Sequence, residues 1–363
     1  MALPTTQRAV AIAAKRAPLV EIEAPVYPPA AGEVCGGGGL AGSVVAVGEP
    51  GDSSGSSSLA VGDRVMAFAF HGGKEANHQE LVTVPTYLVS RVPPGLTTRE
   101  ACTVPVNLVT VFHAATADLG FRLPWPLPEA GWMDPEQDRP VVVWGASSSV
   151  GIYALQVLRH WGYRRLLAVS SARHHEYLSR LGAAECFDRA DPNVADAIVA
   201  AVGQAGPEPG VPYILDCIGS LQGSLRPLTR VAKSGSRVAV MLPVIVKDAT
   251  DDEEPEYEMD VTKCLQGMWA DGVVLRGVRT HFYLDVRPFK LLSLGFELRR
   301  GGCLLTCDAQ NEFFQQKLQP EIVPALLAEK VVEPNQQRVV EGATMLERAQ
   351  GALNLLRSKA RRP

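Results

Sequence analysis

Val141-Val-Val-Trp-Gly-Ala-Ser-Ser-Ser-Val-Gly-Ile152 is the stretch on which the fold turns. It reads as a buried strand, a bend of small residues and the start of a helix. Amides at a helix start have no partner within the helix, and the peptide dipoles favour negative charge there. A pyrophosphate can therefore be held by backbone alone. Gly145 suits the tight turn, and Gly151 lets the helix lie close to the strand. Ser147, Ser148 and Ser149 stand where a third glycine often lies; they keep the loop small and bring hydroxyl donors. A glycine-rich turn alone is weak, and a purely structural turn is the competing reading. The residues that follow favour a dinucleotide site. Strand-like runs at Arg165–Val169, Cys186–Phe187, Tyr213–Asp216 and Arg237–Leu242 alternate with helical stretches ending near His160, Leu181, 203 and Ala232. That alternation predicts an α/β fold, a Rossmann doubly wound parallel sheet, with a further strand at Val273–Val278.

The strand after the first helix bears on which nicotinamide cofactor fits. A site for NAD usually ends that strand with an Asp or Glu that accepts from the ribose 2′-hydroxyl. Here the chain reads Ser170-Ser-Ala-Arg-His-His175, with no acid before Glu176. Ser171, Arg173 and His174 suit a 2′-phosphate, because arginine binds phosphate through two parallel N–H bonds, and NADPH is the expected cofactor. An ordinary basic helix start is the alternative, although cations there oppose the helix dipole.

The hundred residues upstream have another texture. Residues 9–14 and 18–22 read as strands around the Lys15-Arg16 turn, followed by Ser43–Val47, a turn and strand at Val61–Ala67, and more strand from Glu80 to Val89. Gly and Pro punctuate them, and Gly51–Ser58 reads as a solvated loop, so a small β-barrel is expected. Helix is expected over Glu100–Asp118 with a break at Pro105, and again at about 311–329 and 344–358. Pro124–Pro140, with five prolines, and the acidic run Asp248–Glu258 read as exposed loops.

The 363 residues allow two domains; 46% are hydrophobic and 20% charged, the balance of a globular enzyme. A net charge of −4 and a pI of about 6.0 give no basic footprint for nucleic acid or an anionic membrane. The seven cysteines are odd in number and scattered, which suits reduced thiols. Cys303 and Cys307 could share a helix face, but no second pair accompanies them, and no metal site is expected. The sequence has no apolar run of membrane-spanning length and no signal-peptide core at its start, so a cytoplasmic protein is expected, monomer or homodimer.

Val61-Gly-Asp-Arg-Val65, Val92-Pro-Pro-Gly-Leu-Thr97, Glu100-Ala101 with Pro105 and Thr110, the serine-rich turn and Leu181-Gly-Ala-Ala184 occur in a fixed order. This order resembles the zinc-independent, quinone-oxidoreductase branch of the medium-chain dehydrogenases/reductases. His71-Gly-Gly73, Leu123-Pro-Trp-Pro126, Val143–Gly151, Phe187-Asp188 and Tyr213–Ile218 look closer still to fungal trans-acting enoyl reductases and toxin-cluster reductases. The resemblance spans about residues 40 to 356 and is most specific at Val143–Gly151.

It implies a GroES-like catalytic domain built from both chain ends, residues 1–110 and 311–363, around a Rossmann domain at 111–310. It places Ser147, Ser148, Ser149 and Val150 at the pyrophosphate and Ser171, Arg173, His174 and Tyr177 at the 2′-phosphate. Arg189 falls near the adenosine, and Leu242 and Pro243 beside the nicotinamide. Asn107, Leu108 and Thr110 face nicotinamide and substrate. Taken without the family, Tyr177 is a helix-packing aromatic and Thr110 a helix-packing threonine. Zinc-dependent relatives carry a Gly-His-Glu segment and a four-cysteine lobe. This chain has Leu40-Ala-Gly-Ser-Val44 at the first place and lacks the second, while His71 and His78 read as surface residues.

Two departures point to an incomplete catalytic domain. Only Cys35–Gly39 separates Val34 from Leu40, where relatives carry a long strand and an Asn-Pro-x-Asp segment, so unpaired strand edges are expected. The sequence also stops at Ala360-Arg-Arg-Pro363, where relatives continue into a final strand. The expected chemistry is hydride transfer from NADPH to the β-carbon of an α,β-unsaturated carbonyl, with protonation at the α-carbon. A backbone N–H or the Thr110 hydroxyl would meet the developing enolate charge; the residues name no proton donor. The substrate would be an enoyl group on a small molecule or a carrier protein, with a polyketide synthase as partner, in secondary metabolism. The alternatives are a reductase of free enones or quinones, and a catalytically impaired NADPH-binding protein.

Overall fold

The computed structural model describes residues 2–37, 41–49, 59–128, 134–203, 210–250, 252–282 and 313–358. The chain forms two units. One joins Met1–Val106 to Asp308–Lys330 and Pro334–Pro363; the other comprises Asn107–Cys307 with Val331–Glu333.

In the second unit the apolar runs become a parallel sheet. Its strands are β8 (Val141–Trp144), β9 (Leu166–Ser170), β10 (Glu185–Asp188), β11 (Tyr213–Asp216), β12 (Arg237–Met241) and β15 (Val274–Val278), ordered β10-β9-β8-β11-β12-β15. All paired neighbours run parallel. Every residue of β8 and β9 is buried, as strands covered on both faces require. The helices between them are α3 (Ser149–His160), α4 (His175–Leu181), α5 (Val194–Val202) and α6 (Arg226–Val231). The inner faces of α5 and α6 join Val142, Leu167 and Val238 of the sheet in one core, through Ile198 and Leu228 among others. The order reverses between β8 and β11, the crevice point of a doubly wound sheet.

The first unit is antiparallel. β1 (Thr6–Ile12) and β2 (Leu19–Pro25) form a ribbon around Arg16, whose φ is 61°. A second sheet has the order β6-β3-β4-β5-β7, from β3 (Glu33–Gly37), β4 (Ala41–Val47), β5 (Arg64–Ala67), β6 (Leu81–Pro85) and β7 (Val89–Arg91). Helix α1 (Thr98–Ala101) opens on a reciprocal cap between Thr97 and Glu100, a Thr-x-x-Glu pattern readable in the sequence but missed there. Helix α2 (Pro105–His113) begins at the predicted proline break and continues through an i→i+5 turn at Ala114–Asp118. Later segments return to this unit. Gln319 meets the Ser90 hydroxyl at 2.6 Å, within a helical stretch that ends in α7 (Val323–Ala328). Gln350 of α8 (Met345–Arg357) accepts from the Leu19 amide at 2.7 Å.

Two expectations change. Glu256–Glu258 is a short strand, β14, paired antiparallel with β13 (Val244–Lys247), although Glu256 and Tyr257 stay exposed. The unpaired edges expected around Val34 are not found: β3 bonds β4 on one side and β6 on the other, with a register slip between Cys35 and Gly36. A cavity of about 20 Å³ lies among Val34, Ala41, Met66, Ala67, Val82 and Val89. That is room for roughly one water molecule.

Candidate dinucleotide site

The bend after β8 has the geometry that its glycines require. Gly145 sits at φ 75°, and a Cβ there would lie 2.6 Å from the Ile218 side chain. A Cβ on Gly151 would fall 2.6 Å from Ala146 Cα and from the Gly145 carbonyl, so only glycine allows α3 to start this close to the strand. Ser148 is the N-cap of α3, its hydroxyl oxygen accepting from the Gly151 amide at 3.1 Å. Gly145 and Ala146 both donate to the Val169 carbonyl, at 2.9 and 3.0 Å. Among the described residues, the amides of Ser147, Ser149 and Val150 meet no acceptor. They are the donors that an anion can take. The Ser148 oxygen accepts in the helix cap, which leaves its O–H to donate.

Past β9, four predicted residues gather. Ser171 precedes a short helical turn at Ala172–His174, and Arg189 Nε donates to the Ser171 hydroxyl at 3.1 Å. The Arg189 amide donates to the Ser170 carbonyl at 2.8 Å. Arg173 Nε donates to His174 Nε2 at 3.1 Å, so that nitrogen is unprotonated. Partial burial, with the charges of Arg173 and His175, holds the His174 pKa below its usual value. Cationic character at this corner therefore comes from the two exposed arginines. The spacing in sequence had set Arg189 apart from this group; the parallel pairing of β9 with β10 brings it in. Tyr177 stands one turn into α4, half-buried under the Arg180 guanidinium, 5.5 Å from the ring centroid.

At the far end of the crevice, Leu242 and Pro243 follow β12 through a cis bond, with Leu242 half-buried and Pro243 exposed. Thr110 is buried in α2, its hydroxyl 3.0 Å from that of Thr280 beyond β15. Asn107 is half-buried. Leu108 is fully buried.

The sequence reading missed the loop after β11. Asp216 ends that strand with no solvent exposure and accepts from Ser224 Oγ at 2.6 Å, the Ile218 amide at 2.9 Å and the Gly219 amide at 3.3 Å. A carboxylate closing an apolar strand at the reversal point was the available signal. Also unread were His113, whose pKa burial lowers to about 4, and Asp118, whose pKa burial raises to about 7 against the influence of Arg276. Among the described residues, no three His, Cys, Asp or Glu side chains gather as metal ligands. Cys303 and Cys307 lie outside the described residues. No described helix is long and apolar enough to cross a membrane.

No protein-family profile matches the chain. Solved structures match along almost its whole length. The CurK enoyl reductase superposes with a TM-score of 0.64 over 97% of this chain and 96% of its own, at 14% identity. The quinone oxidoreductase of Coxiella burnetii superposes with a TM-score of 0.60 over 98% and 97%, at 13% identity. In sequence, a trans-enoyl reductase of Aspergillus japonicus is 26% identical over 282 residues, covering 77% of this chain and 68% of the relative. The fold is that of the medium-chain dehydrogenases/reductases, and the sequence is related to trans-enoyl reductases. A zinc-type alcohol dehydrogenase-like protein of Schizosaccharomyces pombe is 35% identical over 126 residues, which cover 35% of each chain. A dual trans-enoyl reductase/FAD-dependent monooxygenase of Aspergillus terreus is 26% identical over 175 residues, 48% of this chain and 23% of the relative. The chain thus spans well under two thirds of these last two relatives.

Proposed function

We propose that the chain is an NADPH-dependent reductase of α,β-unsaturated carbonyls, acting as an enoyl reductase on a polyketide chain. The observation that carries the cofactor choice is the corner formed by Ser171, Arg173 and Arg189, with no Asp or Glu at the end of β9. The free amides of Ser147, Ser149 and Val150 fit a pyrophosphate, and Gly145 and Gly151 leave room for it. Arg173 and Arg189 would then hold the 2′-phosphate, with Ser171 and His174 as neutral partners. Leu242 and Pro243 would flank the nicotinamide, with Asn107 and Thr110 facing it and the substrate. When bound, NADPH supplies the hydride that the β-carbon of the alkene accepts. The Thr110 hydroxyl, already oriented by Thr280, would stabilise negative charge on the substrate oxygen.

The trans-enoyl reductase activity named for the Aspergillus japonicus relative supports the enoyl substrate. Titration with NADPH and NADH, followed by an enone panel with and without a synthase, tests the reading. NADPH should bind more tightly, and Arg173→Ala should weaken it about tenfold while leaving NADH unchanged. Equal affinity for the two cofactors, or an indifferent Arg173→Ala variant, removes the assignment. Rapid reduction of small free enones or quinones without a synthase would move the substrate to that class.

A further inference from the structure

In an open parallel sheet the ligand lies in the crevice beyond the carboxyl ends of the strands that flank the reversal. Here those strands are β8 and β11. One wall is the Gly145–Ser149 bend. The other is Cys217–Ser220, which places the Ile218 side chain against Gly145 and donates the Cys217 amide to the Trp144 carbonyl at 2.9 Å. Its carbonyl at Gly219 accepts from the Ile245 amide at 2.6 Å, tying it to the segment that follows Leu242 and Pro243.

We propose that Asp216, together with Ser224, is a positioning residue for the dinucleotide, holding Cys217–Ser220 in the shape that completes the crevice. This rests on the dinucleotide reading above. The carboxylate collects the Ile218 and Gly219 amides and the Ser224 hydroxyl, and the Ser220 amide in turn donates to Ser224 Oγ at 3.0 Å. One buried group thus fixes both ends of the loop. An Asn in its place would keep one acceptor oxygen and turn an NH2 toward either the Ile218 amide or the Gly219 amide and Ser224 hydroxyl, so both carboxylate oxygens are needed to hold the loop.

Burial pushes the Asp216 pKa up to about 6, against the three donors that lower it. Among the described residues, the titratable group that senses it is the Cys217 thiol, raised by its own burial and by the Asp216 charge. Above pH 6 the acceptor is ionised and its hydrogen bonds are charge-assisted, although its burial then costs most.

Asp216→Asn and Ser224→Ala test this beside the parent, with dissociation constants for NADPH and NADH and melting temperatures measured from pH 5 to 8. Asp216→Asn should weaken both cofactors about tenfold at pH 8, more than any fall in its melting temperature accounts for. The gap should close toward pH 5, where the parent's carboxyl is also neutral. Ser224→Ala should show a smaller loss, about threefold, and carries the test should the first variant not fold. Parent-like affinity of Asp216→Asn at pH 8, or a loss only in step with a falling melting temperature, overturns the proposal. A parent that binds neither cofactor fails the dinucleotide reading first and this one with it.

Discussion

The parallel-sheet unit and the antiparallel unit differ in what fills them. The first packs aromatic and long aliphatic side chains, Trp144, Phe187, Ile198 and Leu228 among them, into a continuous core. The second is filled between its strands mostly by valine and alanine, at Val34, Val44, Val65, Ala67, Val82 and Val84, and keeps a small void. The contrast teaches where each unit has room to change. The parallel unit brings backbone so close at the bend after β8 that no Cβ fits at Gly151; the antiparallel unit is as tight where Gly48 meets the Ala30 carbonyl, yet between its strands it has slack that a methyl group could fill.

Three experiments would break or sharpen that contrast. The largest effect belongs to Gly151→Val, whose added atoms meet backbone rather than a movable side chain. It should cost about 3 kcal/mol and abolish dinucleotide binding, read by thermal melting and cofactor titration. Parent-like stability would mean that the bend is looser than its packing implies. Next is Asp118→Asn. The Asp118 pKa is raised from 3.8 to about 7, so the carboxyl's favourable contribution is complete below pH 4 and lost as pH rises through 7. One of its oxygens is buried without a hydrogen-bond partner. The variant should be more stable than the parent at pH 8, on the order of 1 kcal/mol, and no different at pH 4. Hydrogen exchange should place that gain in the parallel unit. The smallest effect is Ala67→Val, which fills the void in the antiparallel sheet and should raise stability by up to about 1 kcal/mol. A loss instead would show that its walls cannot yield.

Much of the fold was legible because it depends on short-range rules. Alternation of strand and helix, the proline at the start of α2 and the glycines of the bend were all readable at their positions. The β3 segment was less so. Its missing neighbours suggested broken edges, yet β6 and β4 close on it directly, because strand pairing is set by whichever edges are available in space.

By itself, the sequence determined the doubly wound sheet, the bend that can receive a pyrophosphate and the absence of an acid at the end of β9, since each is written in residues a few positions apart. Tertiary structure alone decided that Arg189 joins Ser171 across the parallel pairing, that Thr110 meets Thr280, and that Asp216 governs the loop opposite the bend. Pairs such as Thr110 and Thr280, 170 residues apart, meet only when strand order is fixed. That order follows from the burial of whole faces rather than from any local preference.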